Sequence, residues 1–230
     1  LLLFFKKAGL ASGRHAGGRI LELSENERDA LTELANLGVG RAAASLSRMV
    51  NEPIHLSVPA VDLLTREEAA AVMEARDPAR LIAVRQGFSG SFAGHALLLF
   101  PESNSLELVR AVVGPQPSLD DIADLEEEAL AEVGNVILNG YLATIANLLH
   151  QQLTISLPDV VRGSGRSLLD PPRAGLADDD AAPVLFLYID FVVGARGIRG
   201  YIAVMMNFPS LEALRGLTQQ FVERITGVAP

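Results

Sequence analysis

The chain has no cysteine among its 230 residues. That removes disulfides, thiolate zinc sites and cysteine nucleophiles together and fits a reducing compartment, so the cytoplasm is the expected location. Positive charge is also in short supply. The formal net charge is -9, with the acidic side chains spread along the chain, which argues against a nucleic-acid surface and against attraction to anionic lipid. The only apolar run at the N-terminus, Leu1 to Phe5, precedes Lys6 and Lys7. This is the reverse order of a secretory signal and falls far short of a membrane span, so no membrane insertion is expected. His15, His55, His95 and His150 are scattered without the carboxylate spacing of a metal site. Gly163-Ser164-Gly165 lacks the Lys-Ser/Thr of a phosphate-binding loop. No cofactor is expected in this chain.

What is present is a half-apolar composition able to build a core. Residues 1–20 are rich in Gly, Ala and basic side chains and read as a disordered tail. Ser24 followed by Glu27 forms a capping-box pattern ahead of an Ala- and Leu-rich run, which predicts a helix to about Val50. Alternation over Ile54 to Val58 predicts a half-buried strand, and 66–76 a short helix. Strands over 81–88 and 92–100 and a helix from Ser103 to Val113 complete a first unit, closed by Gly114-Pro115.

Sliding the sequence against itself by 99 positions superposes Glu33 on Glu132, Asn36 on Asn135, Ser57 on Ser156 and Pro59 on Pro158 without a gap. Ile54, Leu56 and Val58 land on Leu153, Ile155 and Leu157. Later segments repeat at a shift of 105, with Ser105-Leu106-Glu107 matching Ser210-Leu211-Glu212. The drift is assigned to a solvated loop over 160–182, which contains Asp178-Asp179-Asp180. The expectation is an α+β fold: a pseudo-two-fold repeat of helix-strand-strand-strand-helix units (21–117 and 118–230) forming one joined sheet covered by two long helices. No linker of useful length separates the halves, so a single domain over 21–230 is expected.

On an ideal helix Asp29, Glu33 and Asn36 fall within roughly 60 degrees of one another, opposite an apolar stripe of Leu31, Leu34, Ala35, Ala42, Leu46 and Met49. The second long helix repeats this, with Glu128, Glu132, Asn135 and Asn139 opposite Leu130, Val133, Ile137, Tyr141 and Leu148. Both polar stripes are expected in solvent. Asn is a mediocre helix former, and its recurrence mid-helix at one repeat position points to use. Pro59 and Pro158 are expected to terminate strands.

An acidic or Ser residue, then Glu, Asn and Pro at these intervals resembles the signature of the CheC/CheX/FliY family of chemotaxis proteins. The first copy is Asp29-x3-Glu33-x2-Asn36-x22-Pro59 and the second Glu128-x3-Glu132-x2-Asn135-x22-Pro158. Only Glu128 departs, standing where the family shows Asp or Ser, and this predicts the second site to be the weaker. Two intact copies resemble the two-site CheC-type branch. The resemblance implies a phosphatase that dephosphorylates the aspartyl phosphate of a CheY-like response regulator. In it Asn36 and Asn135 would position the attacking water, and Glu33 and Glu132 would dock the regulator's active-site Lys. Asp29, Glu128 and Asn139 would border the partner. The divalent metal would be carried by the regulator. The alternatives are a non-catalytic FliY/FliM-like switch component or an adaptor binding a CheD-like receptor deamidase. A switch component would add further domains, whereas the second repeat runs to the last residues, so the expectation is an enzyme. Truncating either Asn is expected to leave stability intact.

Overall fold

The structure is a computed structural model that describes residues 22–76, 80–105, 108–110, 119–170, 183–193 and 196–227. The expected tail 1–20, most of the loop around Asp178 and parts of the 103–113 helix lie outside the described residues.

Helix α1 runs Glu25–Val50 and begins as its sequence predicts. The Ser24 hydroxyl accepts from Glu27 N at 3.3 Å, and Glu27 Oε2 accepts from Ser24 N at 2.9 Å, so two otherwise orphaned donors are satisfied reciprocally. There follow β1 (Ile54–Leu64), α2 (Arg66–Arg76), β2 (Leu81–Gly90), β3 (Gly94–Pro101), the long α3 (Leu119–Leu148), β4 (Leu153–Ile155), β5 (Asp159–Gly163), the short α4 (Gly165–Leu169), β6 (Val184–Val193), β7 (Arg196–Met206) and α5 (Phe208–Thr226).

The strands form one antiparallel sheet in the order β1-β6-β7-β3-β2-β4, with β5 also on β2. This order interleaves the two halves. β1 of the first half pairs with β6 of the second, from Ile54 opposite Val193 to Leu64 opposite Val184. β4 and β5 of the second half pair with β2 of the first. Alternate residues point to opposite faces. Ile82, Val84, Phe88, Leu98, Leu187 and Ile202 face α1, α3 and α5, while Leu81, Ala83, Leu97, Phe186, Tyr188 and Tyr201 face α2 and α4. The sheet is thus covered on both faces, the architecture that buries two apolar surfaces at once.

The long helices lie side by side on one face of the sheet, held close by small residues. A Cβ at Gly38 would stand 2.9 Å from Tyr141 Cα, and one at Gly140 would stand 2.9 Å from Ala42 Cβ. Gly134 settles α3 onto the sheet, because a Cβ there would stand 2.4 Å from Val84 Cβ. The apolar stripes are buried as predicted except at Met49, which is exposed, and Leu148, which is half-buried. The stretch Leu125–Leu148 is long and apolar enough to cross a membrane, yet 61% of its most apolar window is buried inside the fold. Its hydropathy is that of a core helix.

Two expectations are corrected. The stretch from Val160 is not loop, for Val160 and Val161 pair with Val84 and Ala83 in the sheet and Leu168 and Leu169 are buried. Gly163 ends β5 and Gly165 opens α4, which Ser164 caps with its Oγ accepting from Ser167 N at 3.2 Å. Pro59 does not end its strand, since it sits inside β1 where the register with β6 shifts between Ser57 and Ala60. An edge strand tolerates proline at such an irregularity. Pro158 does separate β4 from β5.

The first and last helices are joined by a bidentate ion pair. Arg215 Nε is 2.6 Å from Glu27 Oε1, and Arg215 Nη2 is 3.1 Å from Glu27 Oε2. Burial alone would raise the Glu27 carboxyl, but Arg215 and the Ser24 backbone and hydroxyl outweigh it and hold it down to about 2. A depressed carboxylate contributes stability that is complete above its ordinary value of 4.5 and is lost as pH falls from there toward 2. Acid titration of the melting temperature is therefore expected to show a falling limb in that window that Glu27→Gln flattens. An unchanged limb in the variant would assign the acid sensitivity elsewhere. Gly134→Ala is expected to destabilise the fold by about 2 kcal/mol through overpacking against Val84, measured by denaturant unfolding.

Candidate functional site

The two polar stripes emerge on the sides of α1 and α3 away from their apolar packing, and the structure divides their residues into two classes. Asp29, Glu33, Glu128 and Glu132 are exposed. Asn36, Asn135 and Asn139 are half-buried and hydrogen-bonded. Full solvation of the amides was the expectation, and the difference has a local cause in each half.

At the first site the cause is the irregularity in β1. Val58 and Pro59 fall where the pairing with β6 shifts. The Asn36 carboxamide engages Val58, with Oδ1 accepting from Val58 N at 2.9 Å and Nδ2 donating to Val58 O at 3.0 Å. Nδ2 also donates to Thr32 O at 3.0 Å. The side chain acts as a one-residue strand partner, which a buried irregularity needs because unpaired backbone groups are costly. The next residue, Pro59, has no N–H to satisfy. The 22 residues between Asn36 and Pro59 thus measure the path from the helix to the backbone group its amide holds.

At the second site the chain is in the same sequence register but differs in conformation. Residues 156–158 lie between β4 and β5, and Leu157, the counterpart of buried Val58, is 89% exposed. Asn135 makes no bond to Leu157. Its Oδ1 accepts from Gln86 Nε2 at 3.1 Å and from Asn139 Nδ2 at 2.7 Å. Gln86 Nε2 also donates to Ser156 O at 2.9 Å. Among the described residues Asn135 Nδ2 donates no hydrogen bond. Asn139, expected to border a partner, is joined to Asn135 through that 2.7 Å bond.

Asp29 and Glu33 line a groove whose other wall is Phe221, Val222 and Ile225 of α5. Motif reasoning did not single out Gln86, although a signal was present. By strand alternation Gln86 shares the inward face of β2 with Ile82, Val84 and Phe88, and a polar residue at such a position needs a partner.

The fold is that of FliY and of the FliM middle domain. Thermotoga maritima FliY superposes with a TM-score of 0.68 at 16% identity, covering 88% of this chain and 98% of that one. The FliM middle domain from H. pylori gives 0.53 at 13% identity, covering 85% of this chain and 99% of that one. Residues 82–177 match the family described as chemotaxis phosphatase CheX, and residues 27–62 match the CheC-like family. The chain is 28% identical over 142 residues to CheY-P phosphatase CheC of Bacillus subtilis, across 60% of this chain and 67% of that protein. It is 25% identical over 144 residues to flagellar motor switch phosphatase FliY of the same organism, of which it spans 36%. With both signature copies present, the chain is similar to the CheC/CheX/FliY family in each half.

The two amides should separate in stability measurements. Asn36→Ala removes three hydrogen bonds and strands the Val58 N–H and C=O, which is expected to cost about 2 kcal/mol. Asn135→Ala leaves Gln86 bonded to Ser156, so its cost is expected to stay under about 1 kcal/mol. Equal losses in denaturant unfolding would mean that Val58 is satisfied without Asn36.

Proposed function

We propose that this protein hydrolyses the aspartyl phosphate of a CheY-like response regulator in the cytoplasm. The observation that carries the reading is the pair on α3. Glu132 is exposed one helical turn before Asn135, whose amide donor is unspent. The relatives' names, CheY-P phosphatase for CheC and motor switch phosphatase for FliY, support the same class.

An aspartyl phosphate is an activated acyl phosphate, so its hydrolysis requires chiefly a well-aimed water. No nucleophile on this chain is needed. The Asn carboxamide, inserted beside the phosphoryl group, donates to the water oxygen or to a phosphoryl oxygen and holds the attack in line. The Glu carboxylate one turn earlier pairs with the regulator's Lys and sets the depth of insertion, a docking role more than that of a base. The divalent ion that neutralises phosphoryl charge belongs to the regulator. Leu157, exposed next to Ser156, offers an apolar contact beside the second pair.

The test is steady-state phosphate release with a phosphorylated CheY-like regulator. The double variant Asn36→Ala/Asn135→Ala is expected to lose the acceleration. Glu132→Lys is expected to raise the half-saturating regulator concentration by about tenfold with turnover little changed, because it sets like charges against the regulator's Lys. A double variant with the full rate would remove the amides from the mechanism.

A further inference from the structure

An asparagine amide is nearly symmetric in shape, and a half-turn about its last bond exchanges the oxygen with the NH2 group. A freely solvated Asn samples both orientations. One that must present a donor to a water gains from being held in one of them. The two repeat-related amides differ in this respect.

Asn36 is held but spent. Its oxygen accepts from Val58 N, and its NH2 group donates to Thr32 O and Val58 O, so both hydrogens are used. To reach a partner it must release the strand.

Asn135 is held and free. Gln86 Nε2 and Asn139 Nδ2 both donate to its oxygen, at 3.1 and 2.7 Å, which uses both lone pairs. A flipped amide would set NH2 against two donors. Gln86 is fixed in turn, because its Nε2 donates to the backbone carbonyl of Ser156 at 2.9 Å and the residue is 1% exposed. A flipped Gln86 would set oxygen against oxygen. Orientation therefore passes from a backbone carbonyl to Gln86 and from Gln86 to Asn135. Gln86 Oε1 and Asn139 Oδ1 are buried without a protein partner, a cost that an apolar residue would avoid. Gly134 allows this arrangement by lowering α3 onto β2 beside Gln86.

We infer that Gln86 is the positioning residue of the second site, presenting the Asn135 NH2 group outward, and that the α3 pair is the faster of the two sites. The inference rests on the reading of Asn as the group that aims the water. It reverses the ranking suggested by Glu128.

The experiment uses the full chain and two readouts. The first is the side-chain amide resonances of Asn135, assigned by their loss in Asn135→Ala. The second is phosphate release with a phosphorylated CheY-like regulator, separating turnover from half-saturation. In Gln86→Met, which keeps length but removes the donor, the Asn135 signals are expected to shift and broaden. Turnover is expected to fall about tenfold with half-saturation within about twofold. Gln86→Leu, which removes both polar groups, is expected to lose as much. Asn36→Ala is expected to reduce turnover by less than Asn135→Ala does. If Gln86→Met fails to fold, Asn139→Ala withdraws the other donor and is expected to lower turnover about threefold with the same spectral change. Unchanged Asn135 signals with unchanged turnover in the folded Gln86 variants would overturn the proposal, as would a larger loss in Asn36→Ala than in Asn135→Ala. If the wild-type chain fails to accelerate dephosphorylation, or Asn135→Ala keeps the full rate, the phosphatase reading falls instead, and the amide spectrum alone then decides whether Gln86 holds Asn135.

Discussion

The exchange of first strands between the two halves is the constraint from which the rest of the structure follows. β1 completes the sheet beside β6, and β4 and β5 complete it beside β2. Neither half encloses its own inward-facing residues without the other's strand. The exchange also brings α1 and α3 together on one face, where Gly38 and Gly140 admit Tyr141 and Ala42. With their apolar stripes turned to the sheet and to each other, the helices present both Glu-Asn pairs on the opposite side. The duplicated surface is thus a product of how the core closes.

Within that symmetry one local difference separates the two sites. β1 passes through its proline as a single strand with an irregularity. The corresponding segment of the second half breaks into β4 and β5 around Pro158. In the first case the backbone stays close to the helix, Val58 is buried, and the Asn36 amide is drawn into pairing with it. In the second Leu157 swings into solvent, Gln86 takes up the freed carbonyl of Ser156, and Asn135 is left with an unspent donor. Identical spacing of Glu, Asn and Pro therefore encodes two chemical situations.

Much of this organisation was legible in the sequence because it depends on local pattern. The 99-residue offset, the capping box at Ser24, the opposed stripes of the long helices and the exposure of all four acids are set by periodicity and short-range chemistry. What escaped depends on contacts distant in sequence. The irregularity that employs Asn36 exists only where β1 meets β6. Gln86 and Asn135 lie 49 positions apart, and Glu27 and Arg215 lie 188 apart. The loop expected over 160–182 gave way at its start to β5 and α4, where Leu168 and Leu169 are buried. The Glu128 departure distinguishes the two copies by spelling, whereas the difference in hydrogen bonding between Asn36 and Asn135 leaves no mark in the motif.

The interleaved sheet also bears on how the chain comes into being. A polypeptide leaves the ribosome from its N-terminus, and β1 emerges long before β6, its one neighbour in the sheet among the described residues. Until some 130 further residues have been made, the nascent chain holds an unpaired strand edge and a helix with its apolar stripe uncovered. Such non-local pairing folds slowly and leaves sticky surface open in the meantime. The same exchange that joins two sites on one face thus makes translation a period of exposure, in which holdase chaperones have most to cover.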